Sequence, residues 1–263
     1  MYAFDYHRPA SLEEAKAALK AGGALLAGGQ TLIPVMKQRL AQHPALIDLG
    51  AIAGLDEIVL SGDRLNIGAM ATHAAVAESD VVQKAVPGLA SLAEHIGDAH
   101  VRNRGTIGGS IANNDPAADY PAGLLALGAT IRTSDREIPA DDFFTGLFTT
   151  ALEEDEIITA ISIPVPKRFG YAKMANRASR FALVGVGVAE TAEGVRAAVT
   201  GAGMEGVFRA EALEDALSKD FSAEALAGVS IDPSGLMSDI HADADYRAHL
   251  IVAMAKRAVL SAG

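Results

Sequence analysis

A chain of 263 residues, half of them apolar, has room for one or two domains with a true core. Its net charge of −11 argues against a nucleic-acid partner, which would require a basic face. The absence of cysteine excludes disulfides, cysteine-bound zinc and iron–sulfur clusters held by this chain.

The stretch MYAFDYHRPASLEEA has no basic-then-apolar leader pattern, and no apolar run approaches the ~18 residues of a membrane span, so a cytoplasmic protein is expected. Ser11-Leu12-Glu13-Glu14 reads as a capping box. Ala15, Ala18 and Leu19 then recur at helical spacing, and Gly22-Gly23 stops the helix. A short apolar strand over 24–27 runs into Gly28-Gly29-Gln30-Thr31. The next helix places Leu32, Val35, Met36 and Leu40 on one face, with Pro34 tolerated in its first turn. A strand over 45–49 completes a small β-α-β unit with a glycine turn at one strand end.

Residues 58–60 and 65–67, joined by Ser61-Gly62-Asp63, predict a β-hairpin, a change from parallel to antiparallel pairing. Helical pieces follow over 74–78 and 89–96. The glycine-dense run RNRGTIGGSIANNDPAAD, residues 102–119, reads as a loop. A short helix over 120–127 comes next, then strands over 129–133, 137–138 and 157–163, the last ended by Pro164-Val165-Pro166. A boundary is placed near 166–170. Beyond it lie three successive strands over 171–175, 183–189 and 194–200, and helices over 209–217, 223–226 and 243–260. In the last helix Tyr246, Leu250, Ala253 and Met254 form the expected apolar stripe.

Two glycine loops carry the functional signal. A strand that ends in Gly28-Gly29 and feeds a helix presents backbone N–H groups to an anion, and Thr31 adds a hydroxyl. The other reading is a plain tight turn. Thr106-Ile107-Gly108-Gly109-Ser110 has the same ingredients, and alone it reads equally as a bulge or edge turn. Together the two favour a diphosphate, which needs donors on more than one side. Asp119 is either the N-cap of the following helix or a carboxylate that accepts hydrogen bonds from the ligand. Gly201-Ala202-Gly203-Met204-Glu205-Gly206 matches a dinucleotide fingerprint, and with it a stand-alone NAD(P)-dependent oxidoreductase. No parallel strand follows to complete that unit. His95 and His100 lie five apart without metal spacing, and His73, His241 and His249 read as surface or packing residues. Neither a G-x-S-x-G elbow nor a GxxxxGK[ST] loop occurs.

The stretches LAGGQTLIPVMKQRL, VRNRGTIGGSIANNDPAADYPA, EIITAISIPVP and GYAKMANRASRFALVGVGV closely resemble the flavin subunits of the molybdenum hydroxylase (xanthine dehydrogenase) family, including the medium subunit of aerobic carbon monoxide dehydrogenase. The resemblance runs the length of the chain. It implies an α+β fold: a two-subdomain FAD-binding domain over 1–166, of the vanillyl-alcohol-oxidase/PCMH-like kind, divided at about residue 55. A C-terminal domain over 167–263 adds a three-stranded antiparallel sheet with helices. It implies that FAD is bound non-covalently by Ala27, Gly28, Gly29, Gln30, Thr31 and Leu32, by Thr106, Ile107, Gly108, Gly109 and Ser110, and by Asp119, Ile158 and Lys173, with an aromatic residue near Phe181 shielding the flavin. It implies no acid–base catalyst and no metal in this chain. The family's small partner subunit carries two [2Fe–2S] clusters and its large partner a molybdopterin cofactor, in a dimer of heterotrimers at the inner face of the membrane. Electrons then leave FAD for a quinone, NAD or oxygen. The substrate (carbon monoxide, an aldehyde or an N-heterocycle) is set in the large subunit. A flavin-free assembly scaffold is the remaining alternative.

Overall fold

The computed structural model describes residues 1–262. Strands β1 (Asp5–His7), β2 (Ala24–Leu26) and β3 (Ala45–Asp48) form a parallel sheet in the order β1-β3-β2. Helix α1 (Leu12–Lys20) links β1 to β2, and α2 (Leu32–Lys37) links β2 to β3. Ser11 Oγ accepts the Glu14 amide at 3.2 Å, and the Glu14 carboxylate reaches back to the Ala10 amide at 2.9 Å, so the capping box forms with its return arm one residue early. Helix α2 is shorter than its apolar spacing predicts. Arg39 turns left-handed at φ 60°, and the Leu40 amide bonds back to Val35 O at 3.1 Å, a Schellman-type stop. Leu40 is therefore exposed rather than on the buried face.

The hairpin β4 (Ile58–Ser61) and β5 (Arg64–Gly68) opens an antiparallel sheet. Six helices intervene before its next strand: α3 (His73–Glu78), α4 (Asp80–Ala85), α5 (Pro87–Glu94), α6 (Ala99–Arg102), α7 (Ile107–Asn113) and α8 (Asp119–Ala126). Strands β6 (Thr130–Thr133) and β7 (Glu137–Pro139), helix α9 (Ala140–Phe143), the small hairpin β8 (Phe144–Gly146) and β9 (Thr149–Thr150), and β10 (Ile158–Pro164) follow. The sheet order is β4-β5-β10-β6-β7. Helix α7 lies inside the run that reads as a loop. Its two glycines are poor helix formers, but Ile107 and Ile111, one turn apart, are fully buried. Asn114 ends it in a left-handed conformation, φ 43°. Tertiary burial outweighs local propensity here.

The C-terminal sheet runs β11 (Arg168–Ala175), β12 (Ala182–Thr191), β13 (Gly194–Thr200) and a two-residue fourth strand, β14 (Phe208–Arg209), all antiparallel. Helices α10 (Glu211–Leu217) and α11 (Ala244–Ser261) complete it, with 3-10 turns at Glu224–Leu226 and Pro233–Gly235. Helix α11 packs on β11 and β12 so closely that a Cβ on Gly170 would lie 1.9 Å from Ala258 O. Its buried face is Leu250, Ile251, Met254, Ala255 and Ala258, whereas Tyr246 of the expected stripe is half exposed. The sheet also packs on α5 and α8, and Phe169 and Tyr171 join Leu89, Leu92 and Leu124 in one core. Gly201–Gly206 forms a turn with φ +80° at Gly201 and +103° at Gly206, and it leads into β14 rather than a helix. The dinucleotide fingerprint thus has no β-α-β unit around it.

Arg247 of α11 closes the ends of two strands. Only 2% exposed, it donates to Leu183 O and Gly201 O, both at 2.6 Å, and to Asp239 at 2.7 Å. Replacing it strands buried carbonyls without donors. Arg247→Met is expected to cost about 2–4 kcal/mol in urea unfolding with an unchanged m value.

Candidate functional site

The first glycine loop leaves β2 and enters α2. Gly29 adopts φ +70°, which glycine reaches without strain. Among the described residues, the amide N–H groups of Gly28, Gly29, Gln30, Thr31 and Leu32 donate to no other group of the chain. Thr31 precedes α2 but makes no side-chain cap bond. The Gln30 side chain folds back toward Gly28 O at 3.4 Å, leaving the backbone to face outward. Five successive donors and a hydroxyl are thereby free for a ligand.

The second loop is built differently. Thr106 caps α7, and its Oγ1 accepts the Gly109 amide at 3.1 Å. Ile107 and Gly108 donate to Ala71 O and Ala69 O, at 3.0 and 2.9 Å, and Ser110 donates to Thr106 O at 3.0 Å. These amides are spent on sewing the loop to the segment after β5. What it offers is a surface without side chains, plus the Ser110 hydroxyl. Ile107 itself points into the core and does not reach the cleft.

The loops meet. A Cβ on Gly28 would lie 2.0 Å from Arg104 O and 2.7 Å from Gly105 Cα. One on Gly109 would lie 3.6 Å from Ala27 Cβ. Both border one cleft of about 710 Å³, large enough for a dinucleotide-sized ligand. Ala27, Gly28, Gly29, Gln30, Thr31, Leu32, Thr106, Gly108, Gly109, Ser110, Asp119 and Ile158 all line it. Its apolar walls include Leu25, Leu49, Met70, Ile96, Leu152 and Ile157, which sequence reasoning missed because a cleft wall carries the same pattern as a core. Half-exposed Phe181 stands at the cleft as well.

Asp119 is the first residue of α8 and is not its cap, because Ala118 occupies that position without a side-chain bond. Its carboxylate is buried and accepts Tyr171 Oη at 2.6 Å and Lys173 Nζ at 2.9–3.0 Å. Burial pushes the Asp119 carboxyl up, while Lys173 and Tyr171 oppose the rise. Lys173 stands behind Asp119 rather than on the cleft wall, and its amine also donates to Arg180 O at 3.0 Å. The turn before Asp119 is held from the same sheet. Thr200 Oγ1 lies 2.9 Å from Pro116 O and 2.7 Å from Ala118 O, and the Gly201 amide donates to Pro116 O at 2.8 Å.

No lysine or arginine lines the cleft among the described residues. Glu156, on the wall, is engaged by Arg136 at 2.8 Å and Thr133 at 2.7 Å, and the Arg136 guanidinium beside it holds its carboxyl down at about 2. No group of three metal-ligating side chains occurs among the described residues, and no helix there is long and apolar enough to cross a membrane. A cleft of this volume, with neutral donors where the loops meet and apolar walls, fits a dinucleotide with flat rings.

The comparisons decide which one. Residues 2–166 match the family described as the FAD binding domain in molybdopterin dehydrogenase. The chain belongs to the flavin subunits of the molybdenum hydroxylases. It is 39% identical to the nicotine 6-hydroxylase medium subunit of Paenarthrobacter nicotinovorans, over 99% of this chain and 98% of that protein. It is 36% identical to the carbon monoxide dehydrogenase medium chain of Hydrogenophaga pseudoflava, over 98% and 96%. Among solved structures, a reconstituted carbon monoxide dehydrogenase from Oligotropha carboxidovorans superposes with a TM-score of 0.90 at 33% identity, covering 99% of this chain and 98% of that one. Quinoline 2-oxidoreductase from Pseudomonas putida 86 gives 0.88 at 33% identity, covering 98% and 96%. The flavin subunit is thus an FAD-binding component of a multi-subunit oxidoreductase.

Two outcomes follow from the loop geometry. Gly28→Ala forces a Cβ into the Arg104 carbonyl, so the loops must part. FAD affinity, read by flavin fluorescence on refilling stripped protein, is expected to fall by about tenfold or more. Because backbone dipoles rather than lysine or arginine line the cleft where the loops meet, raising salt from about 0.05 M to about 0.5 M is expected to change wild-type FAD affinity by less than about threefold.

Proposed function

We propose that this flavin subunit seats the FAD diphosphate between the Ala27–Leu32 and Thr106–Ser110 loops and passes electrons from a partner's [2Fe–2S] clusters to an external acceptor. The observation that carries the reading is the row of unpartnered amides at Gly28 to Leu32, held against the backbone of Arg104 and Gly105. When bound, FAD supplies a ring system that takes up and releases electrons singly or in pairs. The chain's own residues bind and orient it. Asp119 keeps lone pairs beyond those used by Tyr171 and Lys173, and these accept a ligand hydroxyl or ring N–H. Lys173 acts through Asp119 by balancing its charge. Ile158 packs a ring face, and Phe181 covers the ring from the rim.

Residues 1–166 form the FAD unit, divided at about residue 55, and 167–263 prop its Asp119 wall. The partners are a small iron–sulfur subunit and a large molybdopterin subunit in a dimer of heterotrimers, working in the cytoplasm at the inner membrane face. The large partner selects the substrate, and this chain contributes no acid–base catalyst. A recombinant three-subunit complex tests the reading by rapid mixing with its substrate. The visible flavin band is expected to bleach with all three subunits and to persist when the iron–sulfur subunit is left out. Flavin reduction by substrate in the isolated chain, or an assembled complex that carries no flavin, rules the reading out.

A further inference from the structure

His73 opens α3 and stands where the two loops touch. Its amide donates to Gly105 O at 2.9 Å. A Cβ on Gly105 would lie 2.6 Å from His73 Nε2, so glycine at 105 is what lets the imidazole come forward. The same Gly105 meets Gly28 of the opposite loop. The ring is 5% exposed, lines the cleft, and leans on Tyr120 with centroids 5.4 Å apart. Of its two nitrogens, Nδ1 alone is both buried and without a partner.

That asymmetry sets the tautomer. A neutral imidazole carries one N–H, and a buried donor left unpaired is rarer than a buried acceptor left unpaired. The proton therefore resides on Nε2, the nitrogen beside the glycine loop. Burial, with the Arg102 charge second, lowers the His73 pKa to about 4, so the ring is neutral near pH 7. In a cleft without lysine or arginine, a directed neutral donor offers an anion a hydrogen bond without the cost of burying a cation.

We propose that His73 is a further FAD-binding residue, donating its Nε2–H to the diphosphate seated between the two glycine loops. This rests on the FAD reading of the cleft. The alternative is a packing histidine that only supports Tyr120.

The test uses the full chain labelled with [15N]histidine, stripped of FAD and then refilled. Two-bond 1H–15N spectra are expected to show His73, assigned by its loss in His73→Gln, as the Nε2–H tautomer, with that resonance moving when FAD is added. His73→Leu is expected to weaken FAD binding by about tenfold or more, the size of a hydrogen bond to a charged group, and His73→Gln to stay within about threefold because its amide nitrogen can donate from a similar place. Melting of the stripped variants separates folding from binding. An Nδ1–H tautomer, a His73 resonance indifferent to FAD, or a His73→Leu protein that binds like wild type overturns the inference alone. If His73→Leu fails to fold, the wild-type spectra decide. Wild-type protein that takes up no FAD overturns the FAD reading and this inference with it, and is recognised by the missing flavin bands.

Discussion

The site depends on one backbone-to-backbone approach. Gly28 lies against the carbonyl of Arg104 at a separation that no side-chain-bearing residue could accept. That contact joins a parallel β-α-β unit to the helical insertion of an antiparallel sheet, and it places the unpaired amides of 28–32 opposite the second loop. A diphosphate has oxygens on all sides, so one loop cannot enclose it. Here one side supplies donors and the other supplies closeness. The second loop can be close because its amides are committed elsewhere, to Ala69, Ala71 and the Thr106 hydroxyl, which fixes it rigidly.

The C-terminal sheet contributes to the site without forming its waist. Tyr171 and Lys173 project from β11 onto Asp119, and Thr200 and Gly201 at the end of β13 hold the turn at 116–118. Arg247 in turn ties the Gly201 and Leu183 carbonyls to α11. A chain of buried hydrogen bonds thus runs from the last helix to the cleft wall. Arg247 Nε alone in it lacks a partner. Buried networks of this kind specify a single arrangement, because breaking any member leaves polar groups stranded away from water.

Much of this was legible in the residues, and the gaps have physical causes. Strong local signals read correctly: the Ser11 cap, the 58–67 hairpin, and the isolation of the GAGMEG turn from any β-α-β unit. Helix α7 did not, since Gly108-Gly109 argues against a helix and only the buried Ile107 and Ile111 reveal one. The Arg39 turn was invisible because a non-glycine residue takes the left-handed position that normally advertises a stop. At the site, the glycines were legible but their unequal roles were not. Amide pairing depends on Ala69 and Ala71, whose names carry no hint of it. Lys173 and Asp119 are separated by half a hundred residues, so their pairing needed the fold. His73 looked like a packing residue because nothing local places Gly105 beside it.

The electrostatics of the cleft follow from the same arrangement. A chain of net charge −11 has to admit an anion. Two of the carboxylates on the cleft wall are each met from behind by a cation, Asp119 by Lys173 and Glu156 by Arg136. Charges paired at about 3 Å cancel most of each other's field beyond the pair. The wall there presents little net charge, and the amide row adds partial positive charge where the loops meet. Attraction without a full cation has a consequence for electron transfer. A lysine or arginine on the cleft wall would favour the more negative, reduced state of a bound flavin. On the proposed seating, dipoles confined to the two glycine loops hold the diphosphate while leaving the ring potential to the residues around it. In that seating, binding and redox tuning separate along the cleft, with the glycine loops responsible for the first.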